Sequence, residues 1–384
     1  MIKIITESAR AAGACILLLA CTAAIAQAPA NAAPRMTPLF QAGDGGVDTY
    51  RIPALAITTK GTLLAFCEAR WKSSSDTGNI DLVMRRSTDN GATWEPMATL
   101  VNDGDSVCGN PCPIVDQKTG DIILLITKNI GSEHQDQIMR GEASPRTPWM
   151  LRSADDGVTW SAPVDISAQA RKPDWRWYAT GPGHGIQLTG GRLVAPCDHS
   201  TGPEDADLHS HVIFSDDGGN TWQVGGVLPG TTDESIAVEL ANGDLYLNMR
   251  NMRGDHRRYI STSPDKGVTW TPARMDPALI EPVCQASALR LSMETEVGKN
   301  RILFSNPASE KRENLTVRVS YDECATWPVG KTLWAGPAAY SDLVVCPDKS
   351  IGCLFERGEN SPYETITFAQ FPLEWLTDGK DMME

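Results

Sequence analysis

Three arginines lie in widely separated segments of the chain. Arg51 lies in Tyr50-Arg51-Ile52-Pro53, Arg250 in Asn248-Met249-Arg250-Asn251, and Arg312 in the polar run 306–314. A guanidinium is permanently charged and its fork matches a carboxylate, so three from separate elements can converge on one anion. The chain has a formal net charge of −14, and an acidic protein holds an anion only through such a local concentration of cations. Tyr340 stands ahead of Leu343-Val344-Val345; a phenol titrates near 10, so one that attacked at neutral pH would need a base partner. Glu234 stands 16 residues before Arg250, and Glu356 stands 16 after Tyr340. Asp76, in the polar loop 70–78, could carry a proton to a leaving group, with Asp81 as its rival. Taken singly, each has a blander reading: a buried tyrosine packs, and a lone arginine is a solvated charge.

These side chains need a scaffold that brings distant segments together. Helical periodicity is nearly absent, and short apolar runs bounded by turn residues dominate, such as 61–66, 121–126 and 244–249. One motif recurs. Ser87-Thr88-Asp89-Asn90-Gly91-Ala92-Thr93-Trp94 is echoed from Ser153, Ser215, Ser263 and Ser320, at spacings of 66, 62, 48 and 57. Asp caps the turn amides, Gly takes positive φ, and Thr-Trp resumes the strand, so each copy predicts a hairpin. The fifth copy has Cys324 in place of glycine, which should strain or alter that turn. Such spacings are those of four-stranded blades, and about 350 residues hold about six of them. The expected fold is an all-β, six-bladed β-propeller of antiparallel blades, with Thr365–Phe371 closing the first blade.

Residues 1–33 read as an export segment: Lys3 and Arg10 precede an apolar run, 11–25, and small residues follow. Ala24-Ile25-Ala26 suits ordinary cleavage, whereas Leu18-Leu19-Ala20-Cys21 suits lipoprotein processing with a lipid on Cys21. Either route exports the remaining chain, 34–384, which shows no linker and reads as one domain to be found in the periplasm, on the outer membrane or outside the cell. Eight cysteines follow Cys21. Most read as small buried hydrophobes, although Cys346 and Cys353 flank a turn and could bridge. The acidic balance excludes a nucleic-acid partner. His209 and His211 share a strand face near Asp198 and His199 and could hold an ion, but no third ligand is assured. The preferred reading is structural, with no metal and no cofactor. Asn314-Leu315-Thr316 is formally a glycosylation sequon, read here as strand.

The recurring turns resemble the Asp boxes of sialidases, and Arg51-Ile52-Pro53 resembles the Arg-Ile-Pro motif of the bacterial exo-α-sialidase (neuraminidase) family. The resemblance runs over roughly residues 36–376. It implies that Arg51, Arg250 and Arg312 grip the C1 carboxylate of sialic acid, with Arg318 the rival for the third place. Tyr340 would be the nucleophile, Glu234 its activating base, Asp76 the general acid and base, and Glu356 an arginine-orienting group. On the resemblance alone, Arg70 lines the same pocket, Asn110 and Asp116 border the N-acyl group, and His184 contacts substrate or is structural. The implied activity is retaining hydrolysis of terminal sialic acid from glycoproteins, glycolipids and oligosaccharides. A sialic-acid-binding lectin would need the arginines but not Asp76, Glu234 and Tyr340 together, and a box scaffold would need neither. Transfer to another acceptor, or an intramolecular reaction, would start from the same tyrosine adduct. Linkage preference, tolerance of modified sugars and oligomeric state are not encoded in these motifs.

Overall fold

Strand-forming runs and tight turns account for most of residues 33–383, which the computed structural model describes; the export segment and both processing routes, including Cys21, lie outside the described residues. The chain begins with β1 (Arg35–Gln41) and then folds as successive antiparallel runs. The first run is β2 (Thr49–Ile57), β3 (Leu63–Arg70), β4 (Ile80–Ser87) and β5 (Ala98–Val101), and the second is β6 (Ser106–Val115), β7 (Ile122–Ile130), β8 (Thr147–Ser153) and β9 (Val164–Asp165). In the third, β10 (Tyr178–Thr180) and β11 (Ile186–Gln187) both pair with β12 (Leu193–Ser200), followed by β13 (Leu208–Ser215) and β14 (Gln223–Val227). The fourth is β15 (Thr232–Glu239), β16 (Leu245–Asn251), β17 (Arg257–Ser263) and β18 (Arg274–Ile280). The fifth is β19 (Ser287–Ser292), β20 (Arg301–Pro307), β21 (Glu313–Ser320) and the start of β22 (Val329–Val345). The end of β22 opens a last run with β23 (Ile351–Arg357), β24 (Thr365–Phe371) and β1.

Because β22 belongs to two runs, and one parallel pairing, Ile80 with Val107, joins the first two, hydrogen bonding gives four sheets of seven, five, four and eight strands. The closing strand differs from the sequence expectation. Thr365–Phe371 does not complete the first run; instead β1 pairs with β24, so the first described strand completes the last run. Buried apolar side chains gather between neighbouring runs. Leu64 and Phe66 meet Ile122 and Leu124, and on the other side Leu55 and Leu63 meet Leu354 and Phe368.

All five box turns share one geometry. In the first, Ser87 Oγ donates to Asp89 Oδ1 at 2.8 Å and accepts the Gly91 amide at 2.8 Å, while Asp89 also takes the Thr93 amide at 2.9 Å. Two left-handed residues follow the Asp in each copy, Asn90 and Gly91 in the first, Glu323 and Cys324 in the fifth. Cys324 leaves the turn unaltered: its amide still donates to Ser320 Oγ at 2.9 Å with φ at 67°. Its buried side chain packs beside Ile302 and Phe304, which offsets the left-handed strain. Ser87→Ala removes two hydrogen bonds at a buried hydroxyl. It is expected to lower unfolding free energy by about 1–3 kcal/mol, read from the denaturation midpoint.

All eight described cysteines are buried and unbridged. Cys353 faces Leu343 in the β22–β23 register, whereas Cys346 lies past the end of that register in the turn. The two side chains therefore join different core clusters, and the conjectured bridge does not form.

Candidate active site

Four strands that open their runs carry the same irregularity. Three residues of β2 advance against two of β3 between Arg51 and Ala54, and β6 does likewise between Gly109 and Cys112, β15 between Thr232 and Ser235, and β22 between Ala338 and Ser341. A β-bulge bends its strand and re-aims the side chains in it. Here the bulges contain or border Arg51, Asn110, Asp233, Glu234 and Tyr340, all of which line one cavity of about 750 Å³. Ile52 and Asn110 take left-handed conformations inside these bulges, at φ of 62° and 52°.

Tyr340 lies at the centre of the hydrogen bonding. Its hydroxyl donates to Glu234 Oε1 at 2.6 Å and accepts from Arg250 Nη1 at 3.1 Å, and the same Nη1 donates to Glu234 Oε2 at 2.8 Å. Burial and the negative charge of Glu234 push the phenol well above its usual range, against the pull of Arg250 and Arg312. The resting hydroxyl is therefore protonated, with a base already in contact. Glu356 is fully buried below it: Arg51 donates to both its oxygens, at 3.1 and 3.3 Å, and the amides of Ile52 and Tyr340 donate at 2.9 and 3.1 Å. One carboxylate thus fixes both the Arg51 guanidinium and the Tyr340 backbone. Arg51 lies 5.0 Å and Arg312 5.6 Å from the Tyr340 ring centre, and Arg312 Nη1 donates to the Tyr363 hydroxyl at 2.7 Å.

On the other side, Arg70 is buried between two carboxylates, 2.6 Å from Glu68 and 2.7 Å from Asp76. The Asp76 side chain is 60% exposed at the pocket mouth. Partial burial raises its carboxyl, but the charges of Arg70, Arg51 and Arg146 outweigh that and hold it below the usual range in the open site. Asp81 is elsewhere, a buried acceptor for the Trp71 indole at 2.8 Å and for Asn102 at 3.0 Å. Arg318 is likewise outside the cavity, bonded to Asn306 at 2.9 Å.

Seven of the motif residues come together, Arg51, Asp76, Glu234, Arg250, Arg312, Tyr340 and Glu356, and Arg70 and Asn110 join them. Asp116 does not. It accepts the Lys118 amide at 2.9 Å and Gln187 at 3.0 Å in the turn after β6, at the opposite end of the strand from the cavity. His184 is also displaced from the pocket, and its Nδ1 lies 2.7 Å from Asp342 Oδ1 among the buried first strands. Asp342 further accepts the Leu55 amide at 2.8 Å and Ser287 at 2.8 Å, which ties three runs together. Of the histidine group, His199 and His211 face each other through Nδ1 at 3.0 Å, and the His199 ring stacks on Trp175.

Arg146, Trp177, Asp233 and Tyr363 also line the cavity and were not singled out as site members from the sequence. Arg146 donates to Asn110 Oδ1 at 2.7 Å and lies 4.4 Å from the Trp177 ring centre. Only Asp233 could have been suspected, from its place beside Glu234.

Residues 61–353 match the family described as BNR repeat-like domain. A sialidase of Bacteroides fragilis is 34% identical over 341 residues, which is 82% of this chain but 61% of that protein, so the chain spans about three fifths of that relative. An exo-alpha-sialidase of Aspergillus fumigatus is 32% identical over 87% of this chain and 86% of its own. The solved structure of Hadza microbial sialidase Hz136 superposes with a TM-score of 0.78 at 34% identity, covering 87% of this chain and 68% of that one.

Proposed function

The chain belongs to the sialidase family, and from that premise we propose that it is an exo-α-sialidase acting through a covalent tyrosyl intermediate. The observation that carries the reading is the Tyr340 hydroxyl, 2.6 Å from Glu234 in a cavity shared with three arginines. Sialic acid bears a carboxylate on its anomeric carbon. Arg51, Arg250 and Arg312 would bind that group, and a carboxylate nucleophile would meet its charge at close range. A neutral phenol avoids the repulsion.

In the first step the Tyr340 oxygen bonds to the anomeric carbon as its proton passes to Glu234 Oε1. The glycosidic C–O bond breaks, and Asp76 supplies the proton that the leaving oxygen takes. In the second, Asp76 removes a proton from water, the water oxygen bonds to the anomeric carbon, and the tyrosyl bond breaks as Glu234 returns its proton. Two inversions give retention. Arg250 holds the phenol oxygen throughout, and Glu356 positions Arg51.

We also read the fold as a six-bladed propeller, one blade per run, with β1 completing the sixth. Support comes from the apolar clusters, which join each run to the next and the last to the first. Residues 34–384 would be one exported catalytic domain, soluble or anchored through Cys21, with sialylated glycans as substrates.

The decisive test is release of fluorophore from an α-linked sialoside. Release is expected within roughly pH 4–8; none at high enzyme concentration would sink the reading.

A further inference from the structure

A pair of carboxyl groups behind Arg250 has no part in the steps above. Asp198, on β12, is fully buried, and neither of its oxygens receives a hydrogen bond from a donor among the described residues. Among the described residues no arginine, lysine or histidine lies within ion-pair distance of it, although it borders the cavity. Asp233, on β15, lies within hydrogen-bonding reach. Ser210, opposite Asp198 on β13, donates to the Asp233 carbonyl and ties the two runs at this level. A buried carboxylate with no protein donor is unstable, and two carboxyls in contact hold one proton between them. Burial, then the charges of Asp233 and Glu234, push Asp198 well above the usual range, and Arg146 opposes them. Asp233 is also raised by burial, against Arg250. Tyr178 and Cys197 also interact with Asp198, both kept neutral by burial, while His199, next in β12, points to the opposite sheet face.

Arg250 connects this pair to the reacting oxygen. Its Nε lies 3.5 Å from Asp233 Oδ2, too far for a hydrogen bond, while its Nη1 serves Tyr340 and Glu234. We propose that Asp198 and Asp233 are positioning residues for Tyr340: sharing one proton, they present a single negative charge behind Arg250 and leave its Nη1 on the phenol oxygen. Without the shared proton, a second negative charge draws the guanidinium back from the phenol oxygen. The inference rests on the sialidase reading for its kinetic consequence but not for the proton itself.

The test uses an aryl sialoside with a nitrophenol leaving group, whose departure needs no proton from Asp76. Asp198→Ala leaves the Asp233 charge without its donor and free to draw in Arg250 Nε, now 3.5 Å away, and is expected to lower kcat about 10–100-fold with KM changed less than about threefold. Asp198→Asn keeps a neutral donor toward Asp233 at every pH. It should restore most of that kcat and move the alkaline limb of activity up by about one pH unit or more. An Asn variant as impaired as the Ala variant, or an alkaline limb coincident with the parent's, overturns the proposal. Infrared difference spectra of parent minus Asp198→Asn decide the proton independently of turnover. A protonated-carboxyl band at pH 7 is expected, and its absence overturns the proposal. An inactive parent that shows the band would instead count against the sialidase reading alone.

Discussion

Tyr340→Phe is expected to lower kcat for sialoside hydrolysis by at least about 10³-fold, or about 4 kcal/mol of barrier. The ring remains, so the contact 5.0 Å from Arg51 and the packing against Ile52 and Ala339 persist. Loss of the hydroxyl leaves Glu234 and Arg250 with each other, already bonded at 2.8 Å, rather than with unpaired buried charges. Folding stability should therefore change little. Affinity for free sialic acid, measured by calorimetry, should stay within about threefold, because the arginines that bind the carboxylate are untouched. Turnover near the parental rate would show that another group attacks the sugar. A large loss of affinity with kcat preserved would instead place Tyr340 in binding.

The second large effect is on Asp76, and it should depend on the leaving group. Asp76→Ala is expected to reduce kcat about 10²–10⁴-fold for a sugar leaving group, whose alkoxide cannot depart unprotonated. For a nitrophenyl sialoside the loss in kcat/KM, which reports the first step alone, should be within about tenfold, since the phenolate leaves unaided. Equal losses on both substrates would refute the assignment as general acid. The pH dependence follows from the open-site electrostatics. Arg70, Arg51 and Arg146 hold the free carboxyl below its usual range, so it is ionised over most of the working range. An anionic substrate neutralises part of that positive field and covers the exposed carboxyl, and both effects raise its affinity for a proton. The alkaline limb of kcat should thus lie at higher pH than that of kcat/KM for a natural glycoside, and should vanish in the alanine variant. Coincident limbs would mean that substrate binding does not retune Asp76.

Most of the chemical residues were legible because each sits in a local pattern. Arg51, Arg250, Glu234 and Glu356 lie near strand ends, Tyr340 lies within β22 and Arg312 just ahead of β21, and the family resemblance marks all six. What failed was the assumption that a motif stays together in space. Asn110 and Asp116 lie six residues apart on nearly one strand, and about 3.3 Å per residue separates them by roughly 20 Å. Asn110 reaches the cavity and Asp116 caps the far turn. His184 failed for a related reason. The glycines around it let the chain pass close to the buried first strands, and its ring bonds Asp342 there instead of facing the cavity. Arg146 and Tyr363 come from a loop and a hairpin with no motif of their own, so only folding brings them to Asn110 and Arg312.

The recurring Ser-Asp-Thr-Trp turns, the alternating strands and the proton-handling residue types follow from sequence alone, since each depends on interactions within about eight residues. The convergence of Tyr340 on Glu234, across 106 residues, does not. It depends on bulges at matching depth in four strands, and a bulge is fixed by pairing with a partner strand. Pro53 and Pro111 lie within two of them, where a missing amide donor is tolerated. That signal was present in the sequence, but only register could give it meaning. The pairing of β1 with β24 was likewise decided by tertiary structure, because either end of the chain could have supplied that edge.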